Sequence, residues 1–90
     1  MIEQSFTLRN DSGLHARPAA LFVQAVQRFP GTDVFVRSGG REVNARSLLS
    51  VLSLGAGAGS TISVRCSGPQ ESDVLGALSA LVSDGFGEAG

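Results

Sequence analysis

DSGLHARPAALFVQAVQRFPG (Asp11–Gly31) changes character in its middle. It opens on turn formers and the chain's single histidine. From Ala16 onward Ala19, Phe22, Val23, Val26 and Phe29 recur at helical spacing, and Pro30-Gly31 stops the run. Pro18 belongs in a first helical turn, where a missing backbone N–H costs nothing and the fixed φ suits a helix. The helix therefore starts at Ala16 or one residue either side, with His15 directly before it.

Working outward, IEQSFTL (Ile2–Leu8) puts Ile2, Phe6 and Leu8 on one face and Glu3, Ser5 and Thr7 on the other, a half-buried strand. Beyond the helix, DVFVR (Asp33–Arg37) and REV (Arg41–Val43) read as strands joined by a hairpin turn at Ser38-Gly39-Gly40. SLLSVLSLG (Ser47–Gly55) reads as a short helix with serine at its start and glycine just past its end. AGAGS (Ala56–Ser60) is expected to be a flexible loop, and TISVRC (Thr61–Cys66) alternates cleanly as a fourth strand. A last helix runs from Pro69 or Gln70 to Val82, burying Val74, Leu78, Leu81 and Val82; the tail GFGEAG is expected to fray. The order βαββαβα predicts an α+β open-faced β-sandwich, a four-stranded antiparallel sheet covered on one face by three helices. Glu, Ser, Thr and Arg positions fall on the wetter face. With no repeat and no linker, residues 1–90 read as a single domain.

The composition excludes several classes of function. At 42% apolar and 17% charged residues the chain is globular, and a net charge of −1 gives no basic field for nucleic acid or a membrane surface. All seven positive side chains are arginine, which removes Schiff-base and P-loop lysine chemistry. One histidine and one cysteine cannot build a four-ligand zinc site, so no metal and no cofactor are expected. Cys66 shares the apolar face of its strand with Ile62 and Val64 and reads as buried filler. Met1–Leu8 has no continuous apolar core of a signal peptide and no segment reaches the length of a membrane span; the expected location is the cytoplasm.

His15 is the group with chemistry to offer. At the helix start the amides of Ala16 and Arg17 lack intrahelical partners, and the positive end of the helix dipole disfavours imidazolium, leaving the nucleophilic neutral ring. A neutral imidazole beside free N–H donors and the Arg17 guanidinium suits a phosphoryl group: a ring nitrogen attacks, and Ala16 and Arg17 bind the oxygens. Ser12 offers a hydroxyl from the loop, and Gly13 lets the loop turn closely. Asp11 is only a loose candidate for a partner base, so a self-contained hydrolytic triad is unsupported. Against this stands the plain alternative that a histidine near a helix start is a solvated cap residue, and spacing alone favours it.

SGLHARPAA resembles the active-site segment of HPr, the histidine-containing phosphocarrier of the bacterial phosphoenolpyruvate:sugar phosphotransferase system. VNARSLLSVLSLGAGAGSTISV resembles that family's second signature, around its regulatory serine, and the similarity extends over nearly the whole chain. It implies the βαββαβα fold and a phosphorelay in which Enzyme I phosphorylates His15 on Nδ1 and an EIIA domain receives the phosphoryl group. Arg17 carries over as the residue that stabilises and releases it. Against the family pattern the chain carries one extra residue between His15 and Ser47, near Pro30-Gly31-Thr32.

The short helix cannot bury all of Leu48, Leu49, Val51, Leu52 and Leu54. By resemblance Leu48, Leu49 and Leu52, with Ala20 at the rim, form the patch that docks Enzyme I and EIIA, while Val51 and Leu54 read as core. Arg28 and Arg46 would be solvated or face acidic partners. Ser47 reads as an N-cap and, by resemblance, as a regulatory phosphorylation site for an HPr kinase/phosphorylase, with a transcriptional regulator as a further partner. The expected state is a monomer. Alternatives are a nitrogen-branch paralogue, a mainly regulatory one through Ser47, and a protein-binding module with a non-reactive histidine; a purely regulatory paralogue would be expected to have lost the histidine, so its presence favours carriage.

Overall fold

The computed structural model describes residues 1–88. Strands β1 (Ile2–Thr7), β2 (Asp33–Ser38), β3 (Arg41–Asn44) and β4 (Thr61–Ser67) form one sheet in the order β1-β4-β2-β3, every neighbour antiparallel. Helices α1 (Ala16–Gln27), α2 (Leu48–Ser53) and α3 (Glu71–Ser83) follow in the expected order, and α3 is continued by a 3-10 turn at Gly85–Gly87. This is the open-faced sandwich that the alternation and helical spacing predict.

The two faces of the sheet show why. Phe6, Val34, Val36, Ile62, Val64 and Cys66 point into one core with Phe22 and Val26 of α1 and Val74 and Leu78 of α3. On the open face, neighbouring strands are laced by polar pairs. Ser5 Oγ lies 3.0 Å from Ser63 Oγ, and Arg65 meets Glu42 at 2.6 Å while stacking over the Phe35 ring at 4.9 Å. Pairs this exposed add little stability each, and their role is to mark which face is wet. Residues Gly39 and Gly40 join β2 to β3 at φ +58° and +83°, the paired left-handed residues that a two-residue hairpin requires. Burial pushes the Cys66 thiol up to about 11, and the buried side chain behaves as the apolar filler expected of it.

Four expectations change. Leu75, not Leu81, completes the buried stripe of α3; Leu81 is only partly buried. The 56–60 loop is packed rather than free, since Ala56 is buried and its carbonyl accepts from the Leu14 amide at 2.8 Å. The tail from Gly85 does not fray over the described residues. Phe86 is 2% exposed and adopts φ +56°, ψ +29°. Burying its ring contributes roughly 2–3 kcal/mol, which outweighs the ~1–2 kcal/mol of a left-handed residue. Residues 89 and 90, also included in the expected frayed tail, lie outside the described residues.

Arg46 is the fourth. Instead of facing solvent, its guanidinium donates to the carbonyls of Val26 (3.3 Å), Phe29 (2.5 Å) and Thr32, closing the C-terminal end of α1, which carries no basic residue in its own last turn. The Val26 and Phe29 carbonyls already accept the amides of Phe29 and Thr32, so the guanidinium adds a second, charged donor to each and complements the dipole at once. Arg46→Met keeps the aliphatic stem but strips these partners, and should cost about 2–3 kcal/mol in urea unfolding. A loss below about 0.5 kcal/mol would show that water replaces the guanidinium at no cost.

Candidate functional site

His15 is the N-cap residue of α1, in an extended conformation (φ −96°, ψ −167°), and its carbonyl accepts from the Ala19 amide at 2.8 Å. Its side chain makes no cap hydrogen bond and is exposed. Ala16 and Arg17, exposed beside it, offer amides that find no backbone acceptor among the described residues. Pro18 is buried in the first turn, so the helix start is held while its donors stay open to an incoming anion.

The loop that carries His15 is fixed from below. Gly13 sits at φ +62°, and a Cβ there would lie 2.4 Å from the Ala56 carbonyl oxygen and 2.5 Å from the Gly57 carbonyl carbon. Only a residue without a side chain allows this approach. Leu14 is buried and its amide is the one bonded to Ala56. The His15 loop is thus fastened to the loop that leaves α2, and α1 packs against α2.

Around α2 the structure separates the leucines. Val51 is fully buried and Leu54 partly so, whereas Leu49 is 80% exposed and Leu48 39% exposed. Leu52 and Ala20 are partly buried. Ser47 is exposed and is the N-cap: its Oγ accepts from the Ser50 amide at 3.3 Å. At the other end Arg41 donates to the Ser53 carbonyl at 2.9 Å.

One contact to the His15 loop is not foreseen by the sequence. Glu88, from the turn after α3, lies against the His15 loop. Its Oε2 accepts from Ser12 Oγ at 2.8 Å, and its Oε1 from Asn10 Nδ2 at 2.9 Å and the Ser12 amide at 3.5 Å. Asn10 is buried and also donates to the Gly13 carbonyl at 2.8 Å. Hydrogen bonds from Asn10 and then Ser12, with the nearby charge of Arg17, hold the Glu88 carboxyl below the usual glutamate range. Its contribution to stability is therefore present above the ordinary value near ~4.3 and is lost as pH falls through the lower folded value. Glu88 and Arg17 border a shallow depression of about 390 Å³ shared with Asp11, Phe86 and Gly87. A larger groove of about 620 Å³ between α1 and α3, lined by Leu21, Ala25, Ala77 and Leu81 among others, includes neither His15 nor Ser12. No local pattern pairs residue 88 with residues 10 and 12; the signal exists only in three dimensions.

Among the described residues no group of three His, Cys, Asp or Glu side chains converges as a metal site, and no helix is long and apolar enough to cross a membrane. Fold and site together define a class: a small one-sided α+β sandwich that presents an unencumbered histidine at a helix N-terminus. The family model described as the PTS HPr component phosphorylation site matches residues 2–84. The chain belongs to the HPr family. It is 40% identical over 82 residues to the HPr-like protein Crh of Halalkalibacterium halodurans, covering 91% of this chain and 96% of that one. Against phosphocarrier protein HPr of Cupriavidus necator it is 39% identical over 88 residues, covering 98% of each. The crystal structure of HPr from Thermoanaerobacter tengcongensis superimposes with a TM-score of 0.94 at 37% identity, covering 99% of each chain. A crystal structure of Bacillus subtilis Crh, described as a dimer with a swapping domain, matches with a TM-score of 0.72 at 39% identity, covering 94% of this chain and 97% of that one.

Proposed function

We propose that this chain is a cytoplasmic phosphocarrier of the phosphoenolpyruvate:sugar phosphotransferase system, accepting a phosphoryl group from phospho-Enzyme I on His15 and passing it to an EIIA domain. The observation that carries the reading is the exposed, uncapped imidazole beside the free amides of Ala16 and Arg17. The lone pair of Nδ1 forms the N–P bond as the bond from phosphorus to the donor breaks. The donor keeps that electron pair, and the opposite ring nitrogen of His15 retains its proton. The helix-end amides and the Arg17 guanidinium take up the phosphoryl oxygens. No described residue encloses the imidazole, which suits a group that must meet one protein and then another. The exposed Leu48 and Leu49, with Leu52 and Ala20 at their margin, supply the apolar docking patch.

A second reading, a mainly regulatory protein switched at Ser47, is favoured by the exposure of that N-cap hydroxyl at the foot of the leucine patch. Phosphate there suits the helix end but places negative charge where partners dock. The two roles are compatible. In this reading the working unit is a monomer, and elution as a dimer in size-exclusion chromatography would correct it.

The test is incubation with Enzyme I and labelled phosphoenolpyruvate. Acid-labile, base-stable label on the peptide containing His15 is the expected result, and Arg17→Ala should slow its appearance at least about tenfold, by loss of a charge-assisted contact. Absence of label on the wild type would sink the carrier reading and leave the regulatory one.

A further inference from the structure

The Glu88 carboxylate sits on donors that a phosphoryl group on His15 would want. Ser12 gives it both hydroxyl and amide, and Arg17 lies close enough to act on it electrostatically. The chain therefore carries its own anion beside the acceptor site. The turn that delivers this anion is anchored by the buried, left-handed Phe86, so the carboxylate is held near the loop even when its hydrogen bonds break.

We propose that Glu88 is a positioning residue of phosphoryl transfer: it occupies Ser12 and draws on Arg17 while His15 is free, and gives them up when the phosphoryl group arrives. The proposal rests on His15 being the phosphoryl acceptor. Two consequences follow from the charge alone. Before transfer, the carboxylate keeps Ser12 ordered and neutralises part of the Arg17 field, so free inorganic phosphate competes poorly for the site. After transfer, the dianionic phosphoryl group and Glu88 repel one another across the same donors. The phosphorylated state is raised in free energy relative to a site without Glu88, and the group is passed on more readily. A carrier needs that bias, since a phosphohistidine held too firmly would not leave.

Glu88→Gln tests this with nearly the same shape and no charge. Its amide oxygen can still accept from Asn10 Nδ2 and the Ser12 amide while its NH2 donates to Ser12 Oγ, so thermal unfolding serves to verify the fold. Two readouts separate charge from structure. Titration with inorganic phosphate, followed by the amide resonances of Ser12, Ala16 and Arg17, should give roughly fivefold tighter binding for Glu88→Gln, the factor expected for one unit charge removed at a few ångströms near the surface. The equilibrium phosphorylated fraction against a fixed donor should shift toward the phosphoprotein by a similar factor, with Glu88→Asp restoring the wild-type value at least in part. Equal phosphate affinity and equal equilibrium in a folded Glu88→Gln would overturn the proposal. A wild type that takes no label from Enzyme I or from the small-molecule donor phosphoramidate would instead sink the carrier reading. The phosphate titration would still decide whether Glu88 guards these donors.

Discussion

His15→Asn should accept no phosphoryl group at all and yet be more stable than the wild type. The loss follows because the amide side chain cannot form the N–P bond. The gain follows from where His15 sits: an N-cap position occupied by a side chain that caps nothing. Asparagine is among the best residues there, because its oxygen accepts from an amide of the first turn. One of the two usual targets is missing, since Pro18 stands three residues on and has no N–H, leaving the Arg17 amide. The gain is therefore set at the low end, roughly 0.5–1 kcal/mol. For a domain of this size that raises the melting temperature by about 2–8 °C. Thermal unfolding measured beside the labelling assay checks both halves. Label on the variant would move the acceptor elsewhere, and a fall in stability would mean that the imidazole supports the fold.

The second large effect lies two residues earlier. Gly13→Ala should destabilise the protein by about 3 kcal/mol, from ~1–2 kcal/mol for a left-handed alanine and a comparable cost for overpacking. The overlap cannot be relieved by a rotamer, because the atoms it meets are backbone of Ala56 and Gly57. A drop of about 12–24 °C in melting temperature is expected. Phosphoryl transfer should also slow at temperatures where the variant is still folded, because moving the loop off Ala56 moves His15 with it. Gly31→Ala is the control. Nothing lies within 4 Å of its Cβ and its backbone is not left-handed, so its stability should stay within ~0.5 kcal/mol of the wild type. If Gly13→Ala matched that control, the close approach would not matter to the fold.

Elements and site were legible in the sequence to different depths. Periodicity of two and of 3.6 placed every strand and α-helix, because a one-sided sheet imposes both patterns locally. Ser47 as N-cap and Pro18 in the first turn were readable for the same reason, being rules about neighbours in the chain. Arg46 was not, since a guanidinium on the carbonyls of Val26, Phe29 and Thr32 looks in sequence like any exposed cation. Leu75 and Leu81 both lie at the edge of the apolar stripe of α3, and the neighbouring elements alone decide which is covered. The 85–88 segment was misjudged because glycine-flanked Phe86 reads as a loose end until the pocket that receives it is known. Glu88 followed it out of sight, although its carboxylate is bonded to the loop before His15.

The strand order has a consequence for how the molecule is born. Among the described residues β1 pairs with β4 alone, so a strand made before β4 by more than fifty residues waits for it. Its neighbour β4 also supplies the partner that β2 needs on its inner side. Until residues 61–67 emerge, the growing chain can hold only the β2–β3 hairpin and transient helices, and pairing across so long a separation is slow to close. His15 comes early in translation, but the Ala56 carbonyl that fastens its loop and the Glu88 that grips it come late. A nascent chain thus displays its histidine long before it can present it, and the site matures only when α3 and the turn after it are in place.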